Sequence, residues 1–208
     1  MTNKHFFSNL NNKELRVFKK LDTPAKIQTF LNKIPINFER KKETCYSPRM
    51  VLKKKKAHCI EGAIFAASVL WHHGAEPLLV DLKTVDDDLD HVLAVFKKDG
   101  HWGAITKTNH AVLRYREPIY KNIRELAMSF FHEYYLDDGR KTLRSYTQPF
   151  NLKKIKNKNW FTSEKNLWFI PKALDQAKHY PILTRSQIRN LRPVERIEIR
   201  AGRLTEWK

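Results

Sequence analysis

Cysteine is scarce in this 208-residue chain: Cys45 and Cys59 are the only two. That count excludes a disulfide scaffold and a four-thiolate zinc site. Nine histidines are present, yet no HExxH or CxxC spacing joins them, and His58 and His72 fall at opposite ends of one expected helix. Neither a metal nor another cofactor is therefore expected. Long apolar runs are missing too. The longest, residues 63–71, is too short to span a bilayer, and the first seven residues lack the apolar core of a signal peptide, so a cytoplasmic protein is expected. Repeats, low-complexity tracts and long Gly/Ser linkers are absent. Acidic residues are outnumbered: 22 Asp+Glu face 40 Lys+Arg, a formal net charge of +18.

The chemistry-bearing feature is the setting of Cys59. In Ala57-His58-Cys59-Ile60-Glu61-Gly62-Ala63 a polar approach gives way to the apolar run Ile64 to Trp71, which places the thiol in the first turn of a buried helix. Free N–H groups and the positive end of the helix dipole stabilise an anion there, favouring the nucleophilic thiolate. Gly74 reads as a left-handed cap. Residues 77–82 read as a strand, and after an acidic loop His91 opens a second one over residues 91–96. Lys97-Lys98-Asp99-Gly100 carries an Asp-Gly hairpin signal and residues 101–106 return. Alternation then puts His91, Leu93 and Val95 on one face with Trp102, Ala104 and Thr106, and the Cys59 helix is expected to lie over that face.

These residues resemble the transglutaminase-like group of the papain-fold cysteine enzymes over residues 44–118. The group's pattern is Cys at a helix start, an acidic residue two later, Ala four later, and His on a following strand. Cys59, Glu61, Ala63 and His91 occupy those positions. Residues 102–133, with Gly103-Ala104-Ile105, Asn109-His110 and Arg114-Tyr115-Arg116-Glu117-Pro118, are also similar to a set of uncharacterised bacterial transglutaminase-like proteins. The resemblance implies an α+β, papain-like domain with helices packed on an antiparallel sheet. It also implies a Cys59–His91 pair that hydrolyses or transfers acyl groups from a peptide or protein amide. The family places an Asp on the strand after the histidine to orient the imidazole. Counted from Trp102 that position is Thr106, and Asn109 is the other candidate. Arg114 and Arg116 suit a substrate carboxylate, and with Trp102 they are the expected substrate-binding residues.

With 41% hydrophobic and 12% aromatic residues the chain has the makings of a globular core. Thr23-Pro24 starts a helix that ends by Pro35. A longer helix is expected from Pro118 through Phe130. A linker-like stretch covers residues 137–159, a helix is expected near residues 167–177, and Thr184 to Gln187 forms a capping box. The tail from Glu195 alternates like a strand. The expected division is a transglutaminase-like core at 1–136 and a helical C-terminal extension at 137–208 packed on it. The positive surplus predicts weak attraction to polyanions, and Lys53 to Lys56 read as a solvated face. A rival reading is a catalytically degenerate basic module for nucleic acid or an acidic protein, with Trp160, Phe161, Trp168 and Phe169 as stacking residues.

Overall fold

The computed structural model describes residues 7–39, 42–156 and 159–206. Local signals set most helix starts. α1 (Asn12–Lys20) is capped by Asn11, which accepts from the Lys13 and Glu14 N–H groups while Glu14 bonds back to the Asn11 N–H. In α2 (Pro24–Lys33), Thr23 caps a first-turn proline, and α3 (Pro48–Lys54) repeats the device with Ser47. α4 (Cys59–His72) begins where the Glu61 carboxylate accepts from the His58 N–H at 3.0 Å. Every residue from Ile60 to Trp71 is buried. A helix apolar all round belongs in a core, and α4 lies between the sheet on one side and α2 and α3 on the other.

The strands β1 (Leu78–Lys83), β2 (His91–Lys98), β3 (His101–Ile105), β4 (Arg116–Tyr120), β5 (Ser145–Thr147), β6 (Phe150–Asn151) and β7 (His179–Pro181) form one seven-stranded sheet. Its order is β4-β3-β2-β1-β5-β7, with β6 also paired to β1. All pairings are antiparallel. Among the described residues the remaining α-helices are α5 (Ile123–Met128), α6 (Phe169–Asp175), α7 (Arg185–Arg189) and α8 (Arg196–Gly202). The protein is thus α+β, with helices on an antiparallel sheet. Among the described residues no helix is long and apolar enough to cross a membrane.

β2 and β3 meet through a two-residue turn in which Asp99 and Gly100 have φ of 49° and 80°. Positive φ at both central residues is the geometry that matches strand twist. Val95 pairs with Ala104 and Lys97 with Trp102, so His91, Leu93 and Val95 do share a face with Trp102 and Ala104. α4 does not cover that face. Leu93, Val95 and Ala104 pack with α5 and its neighbours, whereas Val92, Ala94, Phe96 and Ile105 pack with α4. β2 is buried on both faces from His91 to Phe96, so it carries no polar alternation to show which face a helix takes.

Three further expectations are corrected. Residues 116–120 form β4 instead of opening a helix. β4 is an edge strand, where Pro118 withholds no needed donor, and the helix starts only after Asn122, which caps the Glu125 N–H. The segment 137–208 is not a helical extension beside a finished core, because β5, β6 and β7 complete the core's own sheet. Strands of two or three residues are too short to show a period. Residues 196–202 of the tail form the helix α8 and not a strand, while Thr205 makes an isolated antiparallel bridge to His110; Ile197 and Ile199 mimic alternation, but the Glu195 N–H bonds the Glu198 carboxylate in a first-turn cap. The α2, α6 and α7 expectations match the structure, including the Thr184–Gln187 capping box.

Candidate functional site

α4 runs antiparallel to β1, because only a short turn through Gly74 joins them, so the start of α4 meets the end of β1 and the start of β2. Cys59 is the first residue of α4 and His91 the first of β2. The acidic loop between β1 and β2 is an internal tie: Asp90 accepts from the Thr84 N–H at 2.8 Å and from the Lys83 ammonium at 3.1 Å, and Asp88 accepts from the Thr142 hydroxyl. That tie fixes the backbone from which His91 projects. On the other side of α4, Gly62 permits a close approach, since a Cβ there would stand 2.4 Å from Cβ of Lys107. Lys107 is buried, and its Nζ donates to the Leu31 and Ile34 carbonyls at 2.8 and 2.6 Å, binding the last turn of α2.

Two histidines act on the thiol. Burial opposes ionisation of Cys59, but hydrogen bonding by His58 and His91, together with their charge, overrides it and brings the thiol pKa down to about 5. The His58 Nδ1 stands 4.0 Å from Sγ. Its Nε2 lies 3.0 Å from the Thr44 carbonyl, 3.4 Å from Glu39 and 3.5 Å from Glu61. Burial works against the charged His58 ring, yet the Cys59 sulfur, the Glu61 carboxylate and the Thr44 carbonyl outweigh it and raise its pKa to about 9. His91 is buried, and its Nε2 has no hydrogen-bond partner among the described residues. Tyr134 is a further neighbour: burial first, then the charge of Cys59 and of Asp88, Asp90 and Asp81, holds its phenol well above the usual range, hence protonated. It lines a cavity of about 360 Å³ with Asp88, His110, Leu113, Glu133 and Arg203.

The remaining expected residues stand elsewhere or are otherwise engaged. The Thr106 hydroxyl donates to the Leu113 carbonyl at 2.8 Å, and its backbone exchanges hydrogen bonds with the Gln28 amide. The Asn109 carbonyl accepts from the Glu206 N–H at 2.8 Å, as part of a pairing in which the Ala111 N–H donates to the Leu204 carbonyl. Neither residue supplies a partner for the His91 Nε2. Arg114 bonds the His110 carbonyl and faces Glu206 at 3.4 Å. Arg116 is held by Glu133, Ser129 and the ring of Phe130. Trp102 pairs with Lys97, six residues along β2 from His91 or roughly 20 Å away, so the structure does not bring it to Cys59. Of the four aromatics weighed for stacking, Trp160 and Phe161 are buried in the core and Trp168 is exposed.

His58 and Tyr134 were missed by sequence reasoning. His58 had a signal, its adjacency to Cys59, but it reads first as a helix cap; Tyr134 had none. Among the described residues two groups have the composition of metal ligands, Glu39–His58–Glu61 and Asp81–Asp90–Asp175. In the first, Glu61 is surrounded by donors from Asn37, Thr44, Tyr46 and His58. In the second, Asp81 bonds His179 at 3.1 Å and Asp90 bonds Lys83. A larger cavity of about 770 Å³, floored by Val17, Phe30, Ile34, Val51 and Leu52, is lined by none of the candidate residues. A scan against models of known protein families finds no match to this chain, and neither does a search of curated proteins.

Proposed function

We propose that the protein is a cysteine-dependent hydrolase or acyltransferase acting on amide bonds of a peptide or protein, in the manner of the transglutaminase-like, papain-fold enzymes that its motif resembles. The observation that carries this reading is the thiol at the first residue of a buried helix, flanked by two imidazoles that bring its pKa to about 5. A thiolate at neutral pH in a partly closed site is the activated form of a cysteine nucleophile. Cys59 Sγ attacks the carbonyl carbon and the carbonyl π pair moves to oxygen. The Cys59 N–H, in the first turn of α4 where a helix supplies its N–H groups with no acceptor of its own, donates to that oxyanion. As the intermediate collapses the C–N bond breaks and the leaving amine takes from His91 the proton that Cys59 gave to it on forming the thiolate. Water then adds to the thioester, giving its proton to His91, and the C–S bond breaks to release the acid. A substrate amine in place of water gives transfer.

The test uses p-nitrophenyl acetate as acyl donor with the full chain. A burst of p-nitrophenol, with the acetyl group found on the peptide containing Cys59 and absent in Cys59→Ala, supports the reading. Acetyl groups found only on lysines, or equally on Cys45, contradict it.

A further inference from the structure

The family that the motif resembles orients its catalytic histidine with an Asp on the next strand, and this chain has Thr106 there, bonded to Leu113. The His91 Nε2 is correspondingly unpartnered. The carboxylates of the site stand behind the other histidine. His58 Nε2 faces the Thr44 carbonyl at 3.0 Å, with Glu39 and Glu61 at 3.4 and 3.5 Å, while Nδ1 faces the sulfur at 4.0 Å. A ring that donates Nε2–H to the carbonyl and faces a thiolate must also carry Nδ1–H, and the two carboxylates behind Nε2 favour that doubly protonated form. A neutral ring bonded to Thr44 would turn a lone pair toward the sulfur.

We propose that His58 is a catalytic residue of this site, the standing counter-charge of the Cys59 thiolate, held by Glu39, Glu61 and Thr44, and that His91 is thereby left free to carry protons. This rests on the reading of Cys59 as a nucleophile. The carboxylates of the site thus stand behind the histidine that precedes the cysteine, the other side by comparison with the resembled family. His58 keeps its proton throughout, its charge balanced by carboxylate. His91, with one buried nitrogen uncommitted, gives a proton to the leaving amine and takes one from water. The raised His58 pKa of about 9 agrees with this division. The groups facing the pair are Glu39 from the loop after α2, Cys45 and Thr44 from the approach to α3, Glu61 of α4, His91 of β2, and Tyr134 after α5.

The experiment follows iodoacetamide alkylation of Cys59 from acid to alkaline pH by peptide mass spectrometry, in the full chain and in His58→Gln, His91→Gln and Glu39→Gln. The wild-type half-point is expected near 5. His58→Gln is expected to move it toward the ordinary thiol value of about 8.5, lowering the rate at about pH 6 more than tenfold while sparing the alkaline rate. His91→Gln should move it less, and should instead stop release of the acetyl group from Cys59. Should His58→Gln lose the wild-type near-UV circular dichroism, Glu39→Gln decides: Glu39 is partly exposed, and its loss should still raise the half-point. An unmoved half-point in a folded His58→Gln or in Glu39→Gln overturns the proposal, as does a shift in His91→Gln equal to that in His58→Gln. Failure of the underlying reading looks different, since wild-type Cys59 would then alkylate no faster than Cys45.

Discussion

Cys45 and Cys59 share a neighbourhood and differ in nearly everything that decides reactivity. Both lie close to Glu61, and neither is in a disulfide. Cys45 is fully buried on the approach to α3, its N–H bonded to Asn166 and its carbonyl to the Leu167 N–H. Burial, helped by the Glu61 charge, pushes its thiol up to about 12. Cys59 suffers the same penalty from burial, yet two imidazoles turn the result over and its thiol comes down to about 5. Glu61 is the common element with opposite effects. It raises Cys45 directly, whereas at Cys59 it favours the charged His58 ring, which in turn lowers the thiol. A carboxylate near a thiol therefore suppresses or promotes ionisation according to whether an imidazole faces both.

Removing both imidazoles should collapse the difference. In His58→Gln combined with His91→Gln only burial and the helix start remain, so the Cys59 half-point is expected above the ordinary thiol value of about 8.5, and alkylation at neutral pH should fall about 100-fold or more. A double variant that still alkylates rapidly near pH 6 would mean that the helix terminus alone makes the thiolate.

A smaller effect is expected from the packing that holds the start of α4. Gly62→Ala drives a Cβ into the Lys107 side chain, and overpacking of this kind costs about 1 to 3 kcal/mol. Urea denaturation should show a lower midpoint with unchanged slope. A midpoint equal to wild type would mean that Lys107 can withdraw, although its ammonium is bound to two carbonyls of the α2 end.

The smallest effect concerns the basic run upstream. Lys54→Glu with Lys55→Glu should leave the Cys59 half-point and rate within about twofold, because exposed charges are screened over about 8 to 10 Å at ordinary ionic strength. A shift approaching that of His58→Gln would assign the lysines a direct part in the site.

The sequence announced the start of α4, the hairpin and the order of cysteine and histidine because each rests on a local signal: a cap, an Asp-Gly turn, a change from polar to apolar. The face covered by α4 was hidden because β2 is apolar on both sides. The partners of Asn109, Arg114 and Arg116 come from residues far along the chain, Glu206, Glu133 and Ser129, and no local pattern foretells such pairings. Glu61 stood in the motif as an acidic residue two after the cysteine, but its bonds to Asn37, Thr44 and Tyr46 needed the fold to bring three segments together. His58 was in plain sight beside Cys59, but the Thr44 carbonyl and the Glu39 and Glu61 carboxylates that face its Nε2 are brought there by the fold.

The most direct test of the central claim is the ratio of alkylation rates of Cys59 and Cys45 in the native wild-type chain at neutral pH. With thiols at about 5 and about 12, Cys59 is nearly all thiolate and Cys45 about one part in 10⁵. The lower intrinsic nucleophilicity of the more acidic thiolate gives back about three decades, leaving a ratio of about 100 before burial slows Cys45 further. A ratio of that size or larger at neutral pH, with a Cys59 rate that is flat across the neutral range and falls only as the pH drops toward 5, is the predicted result. Equal rates for the two thiols, both rising together toward alkaline pH, would contradict it.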